Sequence, residues 1–356
     1  MKYVASGSEV HKLSSDIIFN TEENRKMKNS KIVLVMTIAL TLSLFLAAQA
    51  FANGSSEKSS TAAAPSGQKL MAIIVPSLSN PFFVAEEKIA EAEAKKLGYQ
   101  TMVASHNDDP NTQQQLIDTA IARHAAAIIL DNAGADASIA PIQKATNAGI
   151  PVFLIDREIN AKGIAKAQIV SNNFQGAQLE GTEFAKLLNY KGTYAMITGL
   201  ASDTNAKVRQ QGAESILNKF PDLKMVASQA ADWDQTKAFN VAQTILQAHP
   251  DISGFIASND TMAMGVEAAL IAANKPNVVV TGFDGSPDVA NSIKKGEIKA
   301  TVLQPIAVFS ALAVQEADQF LKTGSTGKPE KQELNCILIT PANVGQYTNW
   351  AMSSSN

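Results

Sequence analysis

Ser77, Ser79, Asn80, Phe82 and Phe83 sit between an apolar run and a helical pattern, a mixture too polar and aromatic for a plain connector. Asp156 and Arg157 close a second apolar run, Asn259 closes a third, and Asp284 closes a fourth behind Gly282 and Phe283. A loop carrying Asn205, Lys207 and Arg209, with Trp233 farther on, adds amide, cation and ring. These residue types suit a polyhydroxyl ligand. A hydroxyl donates and accepts at once, so carboxylates take its protons while amides and a guanidinium donate to its oxygens. The weakly apolar carbon faces of such a ligand pack on rings such as Phe82, Phe83 and Trp233, and a cleft keeps water from the hydrogen bonds.

Each residue also has a purely structural reading. Phe82 and Phe83 fit core positions at a helix start, and Asp156 with Arg157 fits a local ion pair. Asn259 and Asp260 fit caps of the helix that holds Met262 and Val266, Asp260 above all. Asn205 and Asp284 fit turns, and Trp233 a surface loop. A shared ligand explains what the separate readings do not: all of these residues end strands on one edge of a repeated fold. No phosphate-cradling Gly-rich loop, no GxGxxG after a strand and no GxSxG elbow is present, so an enzyme is not expected. His11, His106, His124 and His249 stand apart from one another; the last three read as loop or helix-end residues, and neither a metal nor a cofactor is expected.

The elements that must position these residues follow from periodicity. Met71–Val75 is short and continuously apolar, as in a strand buried on both faces of a parallel sheet, and Pro76 stops it. From Pro81 the spacing turns helical, with Val84, Ile89, Ala92 and Leu97 on one side, Glu86 and Glu87 as an acidic start, and Gly98 as terminator. Strands follow at 100–104, 127–130 and 150–155, with helices at 113–125 and 138–148 between them. A second series has strands at 194–197, 224–227, 254–257 and 278–281, with helices ending at Leu217, spanning 236–248 and following Asn259. The two series agree in letters: MVAS starts at Met102 and at Met225, Asn132 matches Asn259, and Asp156 matches Asp284, at offsets of 123, 127 and 128. One α/β lobe is therefore present twice, each a doubly wound parallel sheet with its polar strand ends on one edge. A helix at 287–295, a strand at 299–302, a long helix at 306–322 and a last strand at 332–339 complete the chain and suggest a crossing back between lobes. Cys336, the sole cysteine, reads as a small buried hydrophobe within that last strand.

The chain of 356 residues, 46% apolar and 18% charged, has room for two globular domains, and its net charge of -3 offers no basic field to nucleic acid. Arg25, Lys26, Lys28 and Lys31 precede the apolar run Ile32–Ala48, then come the small residues Ala50 and Ala52: a secretory signal peptide cleaved after one of those two. A membrane anchor is the competing reading, and 17 residues is marginal for a span. Met27 gives a more usual beginning than Met1, no cysteine near the cleavage site offers a lipid anchor, and the Ser, Ala and Gly of 53–68 form a flexible tether.

Over Lys69–Thr340 the chain resembles the periplasmic sugar-binding proteins of ABC importers, in the ribose-binding branch that shares the LacI-type repressor core. The blocks VPSLSNPFF, LIDRE, ADWDQTKAF, IASNDTMAMG, VVVTGFDGSPD and ATVLQP carry that resemblance, in the family's order. It implies two Rossmann-like lobes joined by three crossing segments: 69–171 with 305–333, and 172–304 with 334–356, after a leader at 1–52. It also implies that Asn80, Phe82, Phe83, Asp156 and Arg157 line the first wall of the site. Trp233 takes the place of a stacking ring, Asn259 of the ligand amide, Phe283 and Asp284 of the block that bears the ligand carboxylate, and Gln304 of a hinge-side amide. Asp131 stands where an Asn is usual and adds an acceptor, and Asn205 joins the second wall. Lys207 aligns with a ligand Arg, with Arg209 two residues on; Lys lacks Arg's paired donors, which sets a short polyol level with an aldopentose. The implied protein is a periplasmic, monomeric receptor that delivers a monosaccharide or sugar alcohol to a membrane permease and serves a possible chemoreceptor, without binding nucleic acid. A LacI-type regulator would need a helix-turn-helix where the leader stands, and a sugar-acting enzyme is the third reading.

Overall fold

A computed structural model describes residues 68–352; the leader 1–52, and the tether up to residue 67, lie outside the described residues. The first sheet is built from β1 (Leu70–Val75), β2 (Gln100–Ser105), β3 (Ala127–Leu130), β4 (Val152–Ile155) and β5 (Ala167–Ser171). Helices α1 (Pro81–Lys96), α2 (Pro110–Ala122) and α3 (Ile139–Asn147) connect its strands. After α4 (Asn173–Leu187) the second sheet is built in the same way from β6 (Gly192–Thr198), β7 (Leu223–Ala230), β8 (Gly254–Ala257), β9 (Val279–Asp284) and β10 (Ala300–Leu303). Its connecting helices are α5 (Thr204–Leu217), α6 (Gln235–Ala248), α7 (Asp260–Ala272) and α8 (Pro287–Lys295). The chain then returns through α9 (Ile306–Thr323) to β11 (Lys331–Leu334) and β12 (Ile337–Ile339).

The strand order is β11-β5-β4-β3-β1-β2 in one sheet and β12-β10-β9-β8-β6-β7 in the other, so the duplication legible in the letters is a duplication of topology. The paired MVAS segments lie on the equivalent edge strands β2 and β7. Met71–Val75 and Ala127–Leu130 are wholly buried, as strands covered by helices on both faces must be. Helix starts are fixed locally. Asn80 caps α1 by accepting from the Phe82 amide at 3.0 Å, and Pro81 follows where a missing N–H costs nothing.

Three crossings join the lobes: Ser171 to Asn173, Leu303 to Ile306, and Leu334 to Ile337. The first and third are tied together. The Asn172 amide donates to the Leu334 carbonyl at 2.7 Å, and the Cys336 amide donates to Gln175 Oε1 at 2.9 Å.

Several sequence expectations change here. The strand predicted over 332–339 is two strands in two sheets, and Cys336 is buried in the crossing between them rather than in a strand. Periodicity passed over β5 and α4 entirely, because α4 buries Asn173, Gly176 and Glu180 beside its apolar residues and so blurs the helical pattern. Helix α1 does not bury Val84, Ile89, Ala92 and Leu97 as its core face. Its buried residues are Phe82, Phe83, Glu86, Glu87, Ala90 and Ala94, so the acidic start is turned inward. The tail assigned to 334–356 divides as well: Tyr347 packs into the second-lobe core and Trp350 into the first.

Candidate functional site

The first wall is organised by Arg157, which directly follows Asp156 at the end of β4 and is 1% exposed. Its Nη1 donates to Asp108 Oδ1 at 2.7 Å and to the Asn132 carbonyl at 3.0 Å. Its Nε lies 2.9 Å from Asp203 Oδ2 of the second lobe and 3.4 Å from Asp131 Oδ1. Burial opposes the charge of Arg157, but Asp203, Asp131 and Asp108 more than offset it, so its pKa is raised and the guanidinium stays charged. Phe83 lies under it, 5.1 Å from ring centroid to guanidinium carbon.

Behind Arg157 lies an acid pair that the sequence did not single out. Glu86 and Asp131 are both 0% exposed, and all four of their carboxyl oxygens lack a hydrogen-bond donor among the described residues. Burial, with Asp156 adding to it, pushes Glu86 well above the usual carboxyl range, and burial, with Glu86 adding to it, pushes Asp131 up as well, so the pair favours holding a proton. His106 completes this layer. Its Nδ1 accepts from the Asp108 amide at 3.1 Å, which leaves Nε2 to donate to the Asp131 carbonyl at 2.7 Å, and burial lowers its pKa to about 4.

The second wall is organised by Arg209 on α5. Its Nε donates to Asn173 Oδ1 at 2.7 Å, and Nη1 donates to the Ser258 carbonyl at 2.9 Å and to Asp284 Oδ1 at 3.4 Å. The guanidinium is sandwiched, 4.0 Å from the Phe283 centroid and 5.4 Å from that of Trp233. Asp284 Oδ1 also accepts from Gln304 Nε2 at 2.8 Å, so the second crossing is fastened to the site. Burial raises the Asp284 carboxyl well above its ordinary range against the pull of Arg209, and raises Asp156 to about 6.

The walls meet around a narrow cleft, open to solvent, with ≈ 240 Å³ of space between its lining atoms, solvent at its mouth included. Asn80, Phe82, Phe83, Asp156 and Arg157 line it from the first lobe; Asn205, Arg209, Trp233, Asn259 and Asp284 line it from the second; Gln304 lines it from a crossing. Apart from Arg157 Nε, which is held in the ion pair with Asp203, four buried atoms on these residues make no hydrogen bond among the described residues: Asp156 Oδ1, Arg157 Nη2, Trp233 Nε1 and Gln304 Oε1. A buried polar atom left without a partner costs about 1–3 kcal/mol, and two acceptors and two donors in one cleft are the complement of a group that both donates and accepts, such as a hydroxyl. The backbone agrees. Asp156, Trp233 and Asp284 have φ of 57°, 64° and 130°, left-handed values that non-glycine residues avoid and that concentrate at functional sites. The lobes also touch directly: Asn205 Nδ2 donates to the Asp156 carbonyl at 3.2 Å, and Thr261 Oγ1 donates to Asn80 Oδ1 at 3.2 Å.

Three predicted residues fall outside the lining. Lys207 is exposed, because on a helix it points away from the face shared by Asn205 and Arg209, four residues apart. Arg209 holds the place expected of Lys207, and the argument against an aldopentose drawn from a lysine falls with it. Asp131 is buried behind Arg157 rather than set in the cleft. Phe283 is wholly buried under Arg209, supporting it from the core. The cap of α7 is Asn259, which accepts from the Met262 amide at 2.8 Å, and not Asp260, which accepts from Thr301 Oγ1 and the Ser286 amide, both at 2.6 Å. Sequence reading also missed Asp203, which lines the cavity and caps α5 by accepting from the Asn205 amide at 2.9 Å. An Asp directly ahead of the helical Asn205–Arg209 spacing was its available signal.

Two parallel-sheet lobes, three crossings and an interlobe cleft lined by unpartnered polar atoms define a bilobal solute-binding protein. The chain belongs to the periplasmic binding protein family, whose domain matches residues 71–326. It is 58% identical to the D-apiose import binding protein of Paraburkholderia graminis, over 80% of this chain and 91% of that relative. It is 34% identical to the ribose import binding protein RbsB of Salmonella typhimurium, over 71% of this chain and 84% of that relative. A solved ABC transporter periplasmic solute binding protein of Actinobacillus succinogenes, with bound D-allose, is 30% identical at a TM-score of 0.74, covering 79% of this chain and 100% of its own.

Proposed function

We propose that this protein is the exported receptor of an ABC importer for a pentose, and that the pentose is D-apiose. The observation that carries a sugar is the set of four buried, unpartnered atoms on residues lining one cavity, two acceptors and two donors, with aromatic rings beside them. The choice of D-apiose is supported by the 58% identity to a D-apiose import binding protein. Asp156 and Asp284 accept from ligand hydroxyls, Arg157 and Arg209 donate to ligand oxygens, and Phe82 and Trp233 pack on the carbon faces. The ligand adds contacts that exist only when both walls reach it, so it shifts the population toward the closed form, which the permease engages. The protein acts as a monomer in the periplasm, releases the sugar chemically unchanged, and offers the same closed form to any chemoreceptor. D-ribose is the second reading, favoured by Arg209 in the site where a lysine was expected.

Titration calorimetry of the mature protein against D-apiose, D-ribose, L-arabinose, D-allose and myo-inositol tests the reading. D-apiose is expected to bind tightest and to be recovered intact. Tighter binding of another member removes D-apiose, and conversion of the sugar removes the receptor.

A further inference from the structure

The tail beyond the third crossing joins the lobes once more, and it does so at a residue of the site. Tyr347 is buried in the second-lobe core, and its Oη donates to the carbonyl of Gly285, next to Asp284, at 2.7 Å. A short hairpin follows, with Tyr347 paired to Met352 and Thr348 to Ala351. Its two turn residues, Asn349 and Trp350, have φ of 32° and 68°. A bulky residue in the left-handed region is strained and persists only where its surroundings hold it. Two contacts hold Trp350. Its amide donates to Tyr347 Oη at 2.8 Å, and its ring is buried in the first-lobe core, edge-on to Phe82 at 5.8 Å between centroids. Phe82 meets Phe83 edge-on at 5.5 Å, and Phe82 itself lines the cavity. Trp350 also lines an outer cavity that shares Asn80, Phe82, Trp233 and Asp284 with the inner one.

We propose that Trp350 is a positioning residue for ligand capture: an indole carried on the second lobe that docks on Phe82 as the lobes close, fixes that ring against the ligand, and slows reopening. The inference rests on the reading of the cleft as a sugar site. Because Trp350 belongs to the second lobe by chain and to the first by packing, separation of the lobes either undocks the indole or pulls the tail from its own core. Its contribution therefore falls on the closed form and on the dissociation rate.

The test compares Trp350→Ala and Trp350→Phe with the wild type in the complete mature chain, measuring Kd and dissociation rate for D-apiose. Trp350→Ala is expected to raise Kd about tenfold, mainly through faster dissociation, and to lower the thermal midpoint more with saturating sugar than without it. Trp350→Phe, which keeps an edge for Phe82, is expected to stay within about threefold of the wild type. With 5-fluorotryptophan in place of the two tryptophans, the Trp350 fluorine resonance, assigned with Trp350→Phe, is expected to shift on saturation. Unchanged Kd and dissociation rate in Trp350→Ala, an unmoved resonance, or an equal loss of midpoint with and without sugar each overturns the proposal. Failure of D-apiose to bind the wild type removes that ligand only, and the same comparison is then made with the panel sugar that binds. If no panel sugar binds, the cleft reading falls and the Trp350 proposal falls with it.

Discussion

Arg209 and Lys207 stand two residues apart and have opposite fates, because helical geometry sends one into the cavity and the other into water. Lys207→Ala is accordingly expected to leave sugar affinity within about twofold of the wild type. Arg209→Lys is expected to weaken it by about tenfold or more, since an ammonium cannot keep the bonds to Asn173 and Ser258 and the stack on Phe283 together. Calorimetry on both variants checks this. Asp156 gives a pH signature. Burial raises its carboxyl to about 6, so the folded protein binds that proton more tightly than the unfolded chain does. Its cost to stability is complete above about pH 6 and disappears as pH falls below about 4. His106 works in the other direction: held neutral, with its pKa lowered to about 4, it contributes stability at neutral pH that is lost on acidification. Asp156→Asn is expected to raise the unliganded thermal midpoint relative to wild type near pH 7.5, with the difference closing by about pH 4. A midpoint difference independent of pH would show that Asp156 carries no such cost.

The elements place these residues through a few tight approaches. Gly199, directly after β6, is where the Trp233 ring lies down: a Cβ there would sit 2.0 Å from the indole. Gly199→Ala is expected to displace Trp233 and weaken sugar binding by about tenfold or more while the far-ultraviolet circular dichroism stays that of the wild type. Helices α4 and α5 approach closely at Gly212, where a Cβ would meet the Phe174 carbonyl oxygen at 2.7 Å and Ala177 Cβ at 2.8 Å. That packing holds Asn173 against Arg209. Gly212→Val is therefore expected to cost about 1–3 kcal/mol in denaturant unfolding and to loosen the sugar site with it. Both glycines look ordinary in the sequence, and only the neighbouring element gives them meaning.

At the scale of the molecule the lobes are closed on one another. Arg157 reaches Asp203, the Ala135 amide donates to the Ser202 carbonyl at 3.0 Å, and Asn205 and Thr261 bond across the cleft. These contacts are few and polar, which suits a closed form that a ligand must complete. Saturation with the bound sugar is expected to lower the radius of gyration measured by small-angle X-ray scattering. An identical scattering profile with and without sugar would argue against hinged capture.

The sequence by itself determined the duplicated lobe, because buried parallel strands must be written as apolar runs and their polar ends must follow in register. It also determined most of the lining, since Asn80, Asp156, Arg157, Asn259 and Asp284 lie at or just beyond strand ends, where topology alone sends them to the cleft. Tertiary structure decided which neighbours of those positions line the cleft. Phe283 went into the core, Asp131 went behind Arg157, and Arg209 took the place expected of Lys207. It also decided that Glu86, an acid on a helix that reads as amphipathic, would be buried against Asp131 with its pKa raised, and that a tail tryptophan would rest on Phe82. Side-chain direction and burial depend on what the other lobe brings into contact, and a one-dimensional pattern has no record of that.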